Sequence, residues 1–253
     1  EEKVREQTKE LRKAKEVAEE ANEAKNTFLA NISHELRTPL NIIMSTNQLL
    51  SYYLNYDEEL NRDQIRKKIA VQVQNCNRLL RLVNNLIDIT KIDSGHFELV
   101  MNRCNIVHVV EFITLSVAEY VENKGIKLVF DTDVEEKHIE CDLNAIERII
   151  LNLLSNAIKF TPVGGTIYVC LENCNAAIRI RIKDTGVGIP KDKQKIVFER
   201  FKQADDLLTR KHEGSGIGLN LVKSLVEMHG GGISLLSEVN RGSEFIVQLP
   251  EMI

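Results

Sequence analysis

Residues 143–160 read LNAIERIILNLLSNAIKF, and this stretch has two different faces when it is placed on a helix. Its apolar side chains recur every three or four residues, as in an amphipathic helix; they are Ile146, Ile149, Ile150, Leu153, Leu154 and Ala157. The opposite face carries Asn152, Asn156 and Lys159. The pattern predicts a helix that packs on a sheet through one face and meets a ligand with the other.

The chemistry of the polar face suggests which ligand that is. Amide oxygens coordinate hard cations such as Mg²⁺, and a lysine ammonium binds phosphate oxygens. Asn152, Asn156 and Lys159 therefore suit a phosphate chain with its Mg²⁺. The alternative is an ordinary solvent-facing surface, although asparagine is unfavourable in the middle of a helix.

Two glycine-rich segments further along the chain fit the same kind of ligand. Asp184-Thr-Gly-Val-Gly-Ile-Pro follows a predicted strand, and its carboxylate could accept a hydrogen bond from an exocyclic amine such as that of adenine. The alternative is a common turn. Gly214-Ser-Gly-Ile-Gly-Leu opens a predicted helix, where backbone N–H groups and the helix dipole attract phosphate. The polar residues 202–213 between the two segments are expected to form a lid.

Short strand-like and helix-like patterns alternate around these segments. This order predicts an α/β sandwich that begins after the helix-stop signal Ser94-Gly95. The predicted strands cover 127–131, 166–172, 178–183, 232–237 and 243–249, and the predicted helices 106–123, 143–160 and 218–229.

The first part of the chain is helical in pattern. Residues 1–26 are rich in Glu, Lys and Ala and carry a weak heptad, typical of a coiled coil or of a solvated single helix. The pattern continues to Leu40, and a second helix is predicted over 62–92. Two such helices form an antiparallel hairpin with unburied apolar stripes, which dimerisation into a four-helix bundle would cover.

His34 is predicted to face away from the apolar stripe of the first helix. Glu35 stands beside it, Thr38 shares its outward face, and Pro39 is expected to bend the helix. A carboxylate that hydrogen-bonds one ring nitrogen makes the other a better nucleophile, for example toward a phosphoryl group. The alternative is an ordinary surface histidine.

Composition excludes several classes of protein. The 253 residues carry a formal net charge of −4, which does not favour nucleic-acid binding. No apolar run approaches the roughly 18–20 residues that cross a bilayer, and the 5 scattered cysteines suggest reduced thiols in a cytoplasmic protein. The chain also lacks a P-loop and the Ser/Thr/Tyr-kinase motifs.

In this order, the motifs resemble those of the sensor histidine kinases of two-component signalling. The resemblance extends over about residues 25–250. It rests on a histidine box at Phe28–Leu40, an asparagine box from Asn152, a first glycine box at Asp184–Gly188, a phenylalanine box at Phe198–Phe201 and a second glycine box at Gly214–Leu219.

The resemblance implies a role for each matching residue. His34 would be the phosphoacceptor, Glu35 its acid/base partner, and Thr38 would position water for dephosphorylation of the partner. ATP and Mg²⁺ would bind in the second half of the chain, with Asp184 on adenine and Arg200 near the γ-phosphate. The other implied ATP-site residues are Asn152, Asn156 and Lys159 at the phosphates and Mg²⁺, Gly186 and Gly188 at the adenine pocket, and Gly214, Gly216, Gly218 and Leu219 at the end of the lid.

The resemblance also implies an architecture and partners. Residues 1–26 would be a signalling coiled-coil helix, 27–95 the dimerisation and phosphotransfer domain, and 96–253 an ATP-binding sandwich of the type shared with gyrases and Hsp90-type chaperones. The implied partners are a second copy of the chain, the receiver domain of a response regulator and an upstream sensor domain, with no nucleic acid and no direct membrane contact. The alternative is a phosphatase-dominant protein or a nucleotide-gated scaffold with little kinase activity.

Overall fold

The computed structural model describes residues 2–55, 62–198 and 217–251, and it divides the chain into two compact units, Glu1–Ile87 and Asp88–Ile253. The first contains helix α1 (Glu2–Asn55) and most of helix α2 (Arg62–Asp93). The predicted continuous first helix is confirmed, since α1 runs through Pro39. Gln72 donates to Asn47 at 2.7 Å and Arg78 pairs with Glu35 at 2.9 Å, so the two helices are antiparallel.

The sequence pattern predicts one apolar stripe on α2, formed by Ile65, Ile69, Cys76, Leu79, Val83, Leu86 and Thr90. This prediction is wrong, because these side chains lie on two faces that differ in burial. One face is half-buried and holds Ile65, Leu79, Leu82 and Leu86. The other is exposed and has alternating spacings of four and three residues; it holds Ile69, Val73, Cys76, Leu80, Val83 and Ile87. We call this second set the α2 seam. Residues on both faces recur at three and four residues, so periodicity could not separate them.

Helix α2 ends where the Ser94-Gly95 signal predicts. Gly95 has a φ of +70°, a conformation that glycine adopts without strain. The N–H of Gly95 bonds to the carbonyl of Ile92, and that of His96 to the carbonyl of Lys91. This pair of hydrogen bonds is a Schellman motif, which satisfies the last carbonyls of the helix.

The second unit is an α/β sandwich, as predicted. Its five-stranded sheet has the order β2-β4-β5-β7-β6, with β2 parallel to β4 and the other neighbours antiparallel. Two further strands that the sequence did not indicate, β1 and β3, pair antiparallel in a separate sheet. The strands are β1 (Asn102–Asn105), β2 (Lys127–Thr132), β3 (His138–Cys141), β4 (Thr166–Cys174), β5 (Ala177–Asp184), β6 (Gly232–Glu238) and β7 (Gly242–Pro250).

Helices cover one face of the five-stranded sheet. They are α3 (Ile106–Ser116), α4 (Ala118–Asn123), α5 (Leu143–Phe160) and α6 (Gly218–Met228). The prediction of one helix over 106–123 is wrong, because the helix is interrupted at Val117. The Ser116 hydroxyl donates to the carbonyl of Ile113, and such local bonds compete with helix propagation.

Helix α5 confirms the two-faced pattern of its sequence. It spans the predicted residues, begins at the N-cap Asp142, and buries all six predicted apolar side chains. On the face of the sheet away from the helices, Arg179 and Arg181 pair with Glu172, and Arg181 also pairs with Glu244. No helix in the described parts of the chain is both long and apolar enough to cross a membrane.

Candidate functional site

The polar face of α5 is half-buried, and its polar side chains remain accessible to a ligand. The Asn152 amide donates to the carbonyl of Arg148 at 2.8 Å, which leaves its Oδ1 available. The Asn156 side chain makes no hydrogen bond with any residue that the structure describes. The Lys159 ammonium lies 4.6 Å from the centre of the Phe160 ring. The face therefore offers two amides and a cation on three successive turns of the helix.

The start of α6 lies against the Asn152 side chain. A Cβ on Gly218 would be 2.9 Å from Asn152 Oδ1, closer than side chains approach without a shift. Gly218 therefore allows the first turn of α6 to approach the polar face of α5. Leu219 follows it and is half-buried.

Asp184 ends β5 and is 4% exposed. Its Oδ1 accepts hydrogen bonds from the backbone N–H groups of Gly186 at 2.8 Å and Ser243 at 3.3 Å. Burial raises the pKa of Asp184, and these two hydrogen bonds oppose the rise. Oδ2 accepts no hydrogen bond from the described residues, so one oxygen of a fixed carboxylate is open to a donor on a ligand.

Two glycines hold the loop after Asp184 against the rest of the unit. A Cβ on Gly186 would lie 2.4 Å from the carbonyl oxygen of Phe160, the last residue of α5. Gly188 has a φ of +69°, and a Cβ there would lie 2.1 Å from the carbonyl oxygen of Glu238. This close packing brings the Asp184 loop to the end of α5 that carries Asn156 and Lys159.

The predicted lid, residues 202–213, lies outside the described residues, but the structure describes the segments that flank it. Before it, the short 3-10 helix Ile196–Phe198 packs its Phe198 ring edge-on against Phe245, with 6.2 Å between ring centres. After it, the Asn220 amide donates to the carbonyl of Phe198 at 3.3 Å. The predicted site residues Arg200, Gly214 and Gly216 lie outside the described residues.

His34 lies in the first unit, on α1, and its side chain is exposed, as predicted. The Thr38 hydroxyl donates to the His34 backbone carbonyl at 3.1 Å. The Glu35 carboxylate is half-buried and accepts a hydrogen bond from the Arg78 guanidinium of α2 at 2.9 Å. Glu35 is thus held by an arginine that sequence reasoning did not identify.

Sequence reasoning also missed three residues of the second unit. Gly242 has a φ of +98°, and a Cβ there would lie 1.9 Å from the carbonyl oxygen of Asp184. Ser243 supplies one of the N–H groups that fix the Asp184 carboxylate, and Asn220 joins the two segments that flank the predicted lid. The signals were a glycine directly before a predicted strand, the serine that begins this strand, and an asparagine in an apolar helix.

These groups match the two ends of a nucleotide. Asp184 Oδ2 is a buried acceptor suited to an amino group on a base, while the amides and ammonium of α5 suit phosphates and a hard cation. Both sets occur in the second unit, joined through the contact of Gly186 with the end of α5.

Two family models match the chain. Residues 24–95 match the His Kinase A (phospho-acceptor) domain, and residues 141–253 match the histidine kinase-, DNA gyrase B- and HSP90-like ATPase domain.

Curated relatives match nearly the whole of this chain. Hybrid signal transduction histidine kinase D of Dictyostelium discoideum is 37% identical over 247 residues, which cover 95% of this chain and 16% of that protein. Autoinducer 2 sensor kinase/phosphatase LuxQ of Vibrio vulnificus is 35% identical over 246 residues, covering 94% of this chain and 28% of that protein. The chain spans less than half the length of the curated relatives that it matches here.

Solved structures of histidine kinases have a similar fold. The crystal structure of full-length ShkA in complex with AMPPNP matches with a TM-score of 0.64 and 27% identity, covering 88% of this chain and 45% of that one. Histidine kinase AdeS of Acinetobacter baumannii has the same fold, with a TM-score of 0.64 and 20% identity, and it covers 87% of this chain and 98% of that one.

Proposed function

Because the chain belongs to the sensor histidine kinases of two-component signalling, we propose that it transfers the γ-phosphoryl group of ATP to His34. The phosphoryl group would then pass to an aspartate on the receiver domain of a response regulator. Residues 1–26 would carry the signal from an upstream sensor domain, 27–95 would dimerise and hold His34, and 96–253 would bind ATP.

The observation that carries the proposal is the exposed His34 imidazole in a chain that also holds a buried, fixed carboxylate at Asp184. An exposed imidazole is open to a phosphoryl donor. The Asp184 carboxylate is restrained by two backbone N–H groups and keeps a second oxygen for adenine. One group would accept the phosphoryl group, and the other would position its donor.

The reaction requires little covalent chemistry beyond the nucleophile. A ring nitrogen of His34 attacks the γ-phosphorus in line, the bond to the β–γ bridging oxygen breaks, and ADP leaves. Lys159 and Arg200 offset the charge of the phosphates, and Asn152 and Asn156 hold the phosphates and Mg²⁺. When bound, Mg²⁺ neutralises phosphate charge. Gly186 and Gly188 shape the adenine pocket, while Gly214, Gly216, Gly218 and Leu219 border the phosphates.

The α2 seam supports a homodimer. Its six exposed side chains follow the alternating four- and three-residue spacing of a coiled-coil seam. A second copy would bury the seam in a four-helix bundle, the arrangement in which two hairpins cover their apolar faces.

Incubation with γ-labelled ATP and Mg²⁺ tests the proposal. The chain should acquire an acid-labile, alkali-stable label, and His34→Gln should acquire none. His108→Gln is the matched control, because His108 is also an exposed histidine on a helix. Equal labelling of His34→Gln and the unchanged chain would refute His34 as the phosphoacceptor.

A phosphatase activity toward the phosphorylated regulator is the second candidate. It is favoured by Thr38, whose hydroxyl lies one turn from His34, and by a relative that is itself called a kinase/phosphatase. Thr38→Ala should slow dephosphorylation of the regulator and leave autophosphorylation intact. Loss of both activities would instead indicate damage to the helical hairpin.

A further inference from the structure

Two thiols lie in contact on the two-stranded sheet. Cys104 is on β1 and Cys141 on β3, and their sulfurs are 3.0 Å apart. In the register of the sheet Cys104 faces Ile139 and Cys141 faces Asn102, so the two cysteines are diagonal neighbours. A disulfide bond is about 2.05 Å long, so the sulfurs must approach by about 1 Å. Because diagonal neighbours are about 7–8 Å apart, the two strands must also shift slightly toward each other at this point.

We propose that Cys104 and Cys141 are a site of reversible oxidation, at which a low-molecular-weight disulfide such as oxidised glutathione forms an intramolecular disulfide bond. No assigned role of the chain uses either residue. Neither the nucleotide site nor His34 involves them.

Burial determines the order of the two chemical steps. Cys104 is half-buried, whereas Cys141 is completely buried, so the reagent reaches Cys104 first. The Cys104 thiolate attacks one sulfur of oxidised glutathione, forms a mixed disulfide and releases one glutathione thiolate. Cys141 then loses its proton, attacks the Cys104 sulfur and releases the second. Two protein thiols are oxidised, and one glutathione disulfide is reduced to two thiols.

The second step should depend on pH. Burial, together with the neighbouring Cys104, raises the pKa of the Cys141 thiol. Because the thiolate is the attacking species, closure should become faster as the pH rises. The mixed disulfide on Cys104 should therefore persist longer at neutral pH than at mildly alkaline pH.

The remaining cysteines have different surroundings. Cys76 is exposed on α2, and Cys170 and Cys174 lie four residues apart on β4, roughly 13 Å at the rise of a strand. Among the cysteines, all of which are in described residues, only the sulfurs of Cys104 and Cys141 are in contact.

A disulfide here would tie together a large part of the second unit. The segment between the two cysteines contains α3, α4 and β2. Cys141 also precedes Asp142, whose carboxylate caps α5 and accepts the N–H of Val100. Cross-linking such a segment restricts the unfolded chain, so oxidation should raise the temperature of unfolding. Asn152 lies about 15 Å along α5 from Asp142, so ADP affinity should stay the same.

The experiment uses the whole chain with Cys76 replaced by Ser, which removes the exposed thiol. After reduction and desalting, it is incubated folded with oxidised glutathione at mildly alkaline pH. The intact mass should fall by two hydrogen atoms, and peptide mapping should recover a Cys104–Cys141 linkage that dithiothreitol reverses. In this background, peptide mapping should find one glutathione retained on Cys104 of Cys141→Ser, and none on Cys141 of Cys104→Ser.

Other outcomes would overturn the proposal. These are a stable glutathione adduct on Cys104 with Cys141 present, a linkage through Cys170 or Cys174, or no reaction of a chain whose circular dichroism is native. Thermal unfolding of each serine variant in the reduced state provides the control for folding. Cys170→Ser should behave like the background chain, and loss of the linkage in that variant would also contradict the assignment.

Discussion

The buried imidazole of His229 joins the end of one helix to the start of another. Its Nε2 accepts a hydrogen bond from the backbone N–H of Asp142 at 3.1 Å, and its Nδ1 donates to the carbonyl of Leu225 at 2.7 Å. His229 follows α6, and Asp142 caps α5. At the other end of α6, Gly218 lies against Asn152. The two helices are therefore antiparallel, and α6 contacts α5 at both of its own ends, with the candidate phosphate site at the end that begins with Gly218.

Replacing His229 tests the contact between the end of α6 and the start of α5. His229 is 2% exposed, so His229→Phe would leave the Asp142 N–H buried without a partner, at a cost of about 1–3 kcal/mol in the free energy of unfolding. His229→Gln offers an acceptor of similar reach and should lose less. Urea unfolding of both variants measures the difference. Equal losses would mean that packing, and not the hydrogen bond, explains the burial of His229.

Gly218→Ala tests the contact between the start of α6 and Asn152, next to the candidate phosphate site. The new methyl group would lie 2.9 Å from Asn152 Oδ1, and the flexible amide would move aside. The fold should therefore persist while ADP binds about tenfold more weakly, equivalent to the loss of one hydrogen bond of roughly 1.4 kcal/mol. Isothermal titration measures the affinity. Gly232→Ala is the control, since a Cβ there meets nothing within 4 Å; the same effect in both variants would contradict the assignment of Asn152.

Asp184→Asn separates adenine binding from folding. The amide oxygen of asparagine can still accept the N–H groups of Gly186 and Ser243, but its NH₂ group would face the amine of adenine with a donor. ADP affinity should fall roughly 10- to 100-fold, the cost of a hydrogen bond to a charged group. Titration calorimetry measures this, and circular dichroism controls for folding. Undiminished affinity would refute the role of Asp184.

The raised pKa of Asp184 also predicts how stability depends on pH. Between the ordinary aspartate pKa of about 4 and the higher pKa of the folded state, the folded chain binds more protons than the unfolded chain. The free energy of unfolding should therefore fall as the pH rises across this window. The side chain in Asp184→Asn does not titrate. As the pH rises across this window, only the unchanged chain should lose stability through this group, so the free energy of unfolding of Asp184→Asn should rise relative to it. Above the window the difference should become constant. Urea unfolding at several pH values tests this, and a constant difference would contradict it.

We expect Arg78 to compete with His34 for the carboxylate of Glu35. Because Arg78 and Glu35 are paired at 2.9 Å, Arg78→Gln should free the carboxylate to hydrogen-bond the imidazole and should increase the autophosphorylation rate severalfold. Glu35→Gln should reduce it by about 100-fold, the usual scale of general acid–base catalysis. Initial rates of labelling measure both effects. Arg81→Gln is the matched control, since Arg81 is exposed on the same helix; a rate for Arg78→Gln no higher than this control would refute the competition.

Leu80→Lys tests the α2 seam as the dimer interface. Leu80 lies within the seam and is 60% exposed in the single chain, so a lysine there leaves the hairpin intact and places charge in the interface. Sedimentation should show a shift from dimer to monomer. Val163→Lys, at an exposed position of the second unit, should remain dimeric. A dimeric Leu80→Lys variant would indicate that copies associate through another surface.

Local sequence patterns predicted most of the elements around the nucleotide site. The limits of α5 follow from its apolar periodicity and the cap at Asp142, which involve neighbouring residues only. Strand β1, by contrast, reads Asn-Arg-Cys-Asn and has no apolar alternation. It is a strand because β3 pairs with it, and β3 is 33 residues further along the chain at the closest partners, Asn105 and His138. No local pattern could have revealed it.

The sequence alone determined where most helices of this protein lie, and it predicted which residues would bind phosphate, bind a base or attack phosphorus. Only the tertiary structure decided which of these residues meet others. It placed Arg78 on Glu35, Gly218 against Asn152, and Cys104 against Cys141. The physical reason is that periodicity and capping depend on residues within a few turns, whereas these contacts depend on how elements far apart in the chain pack together.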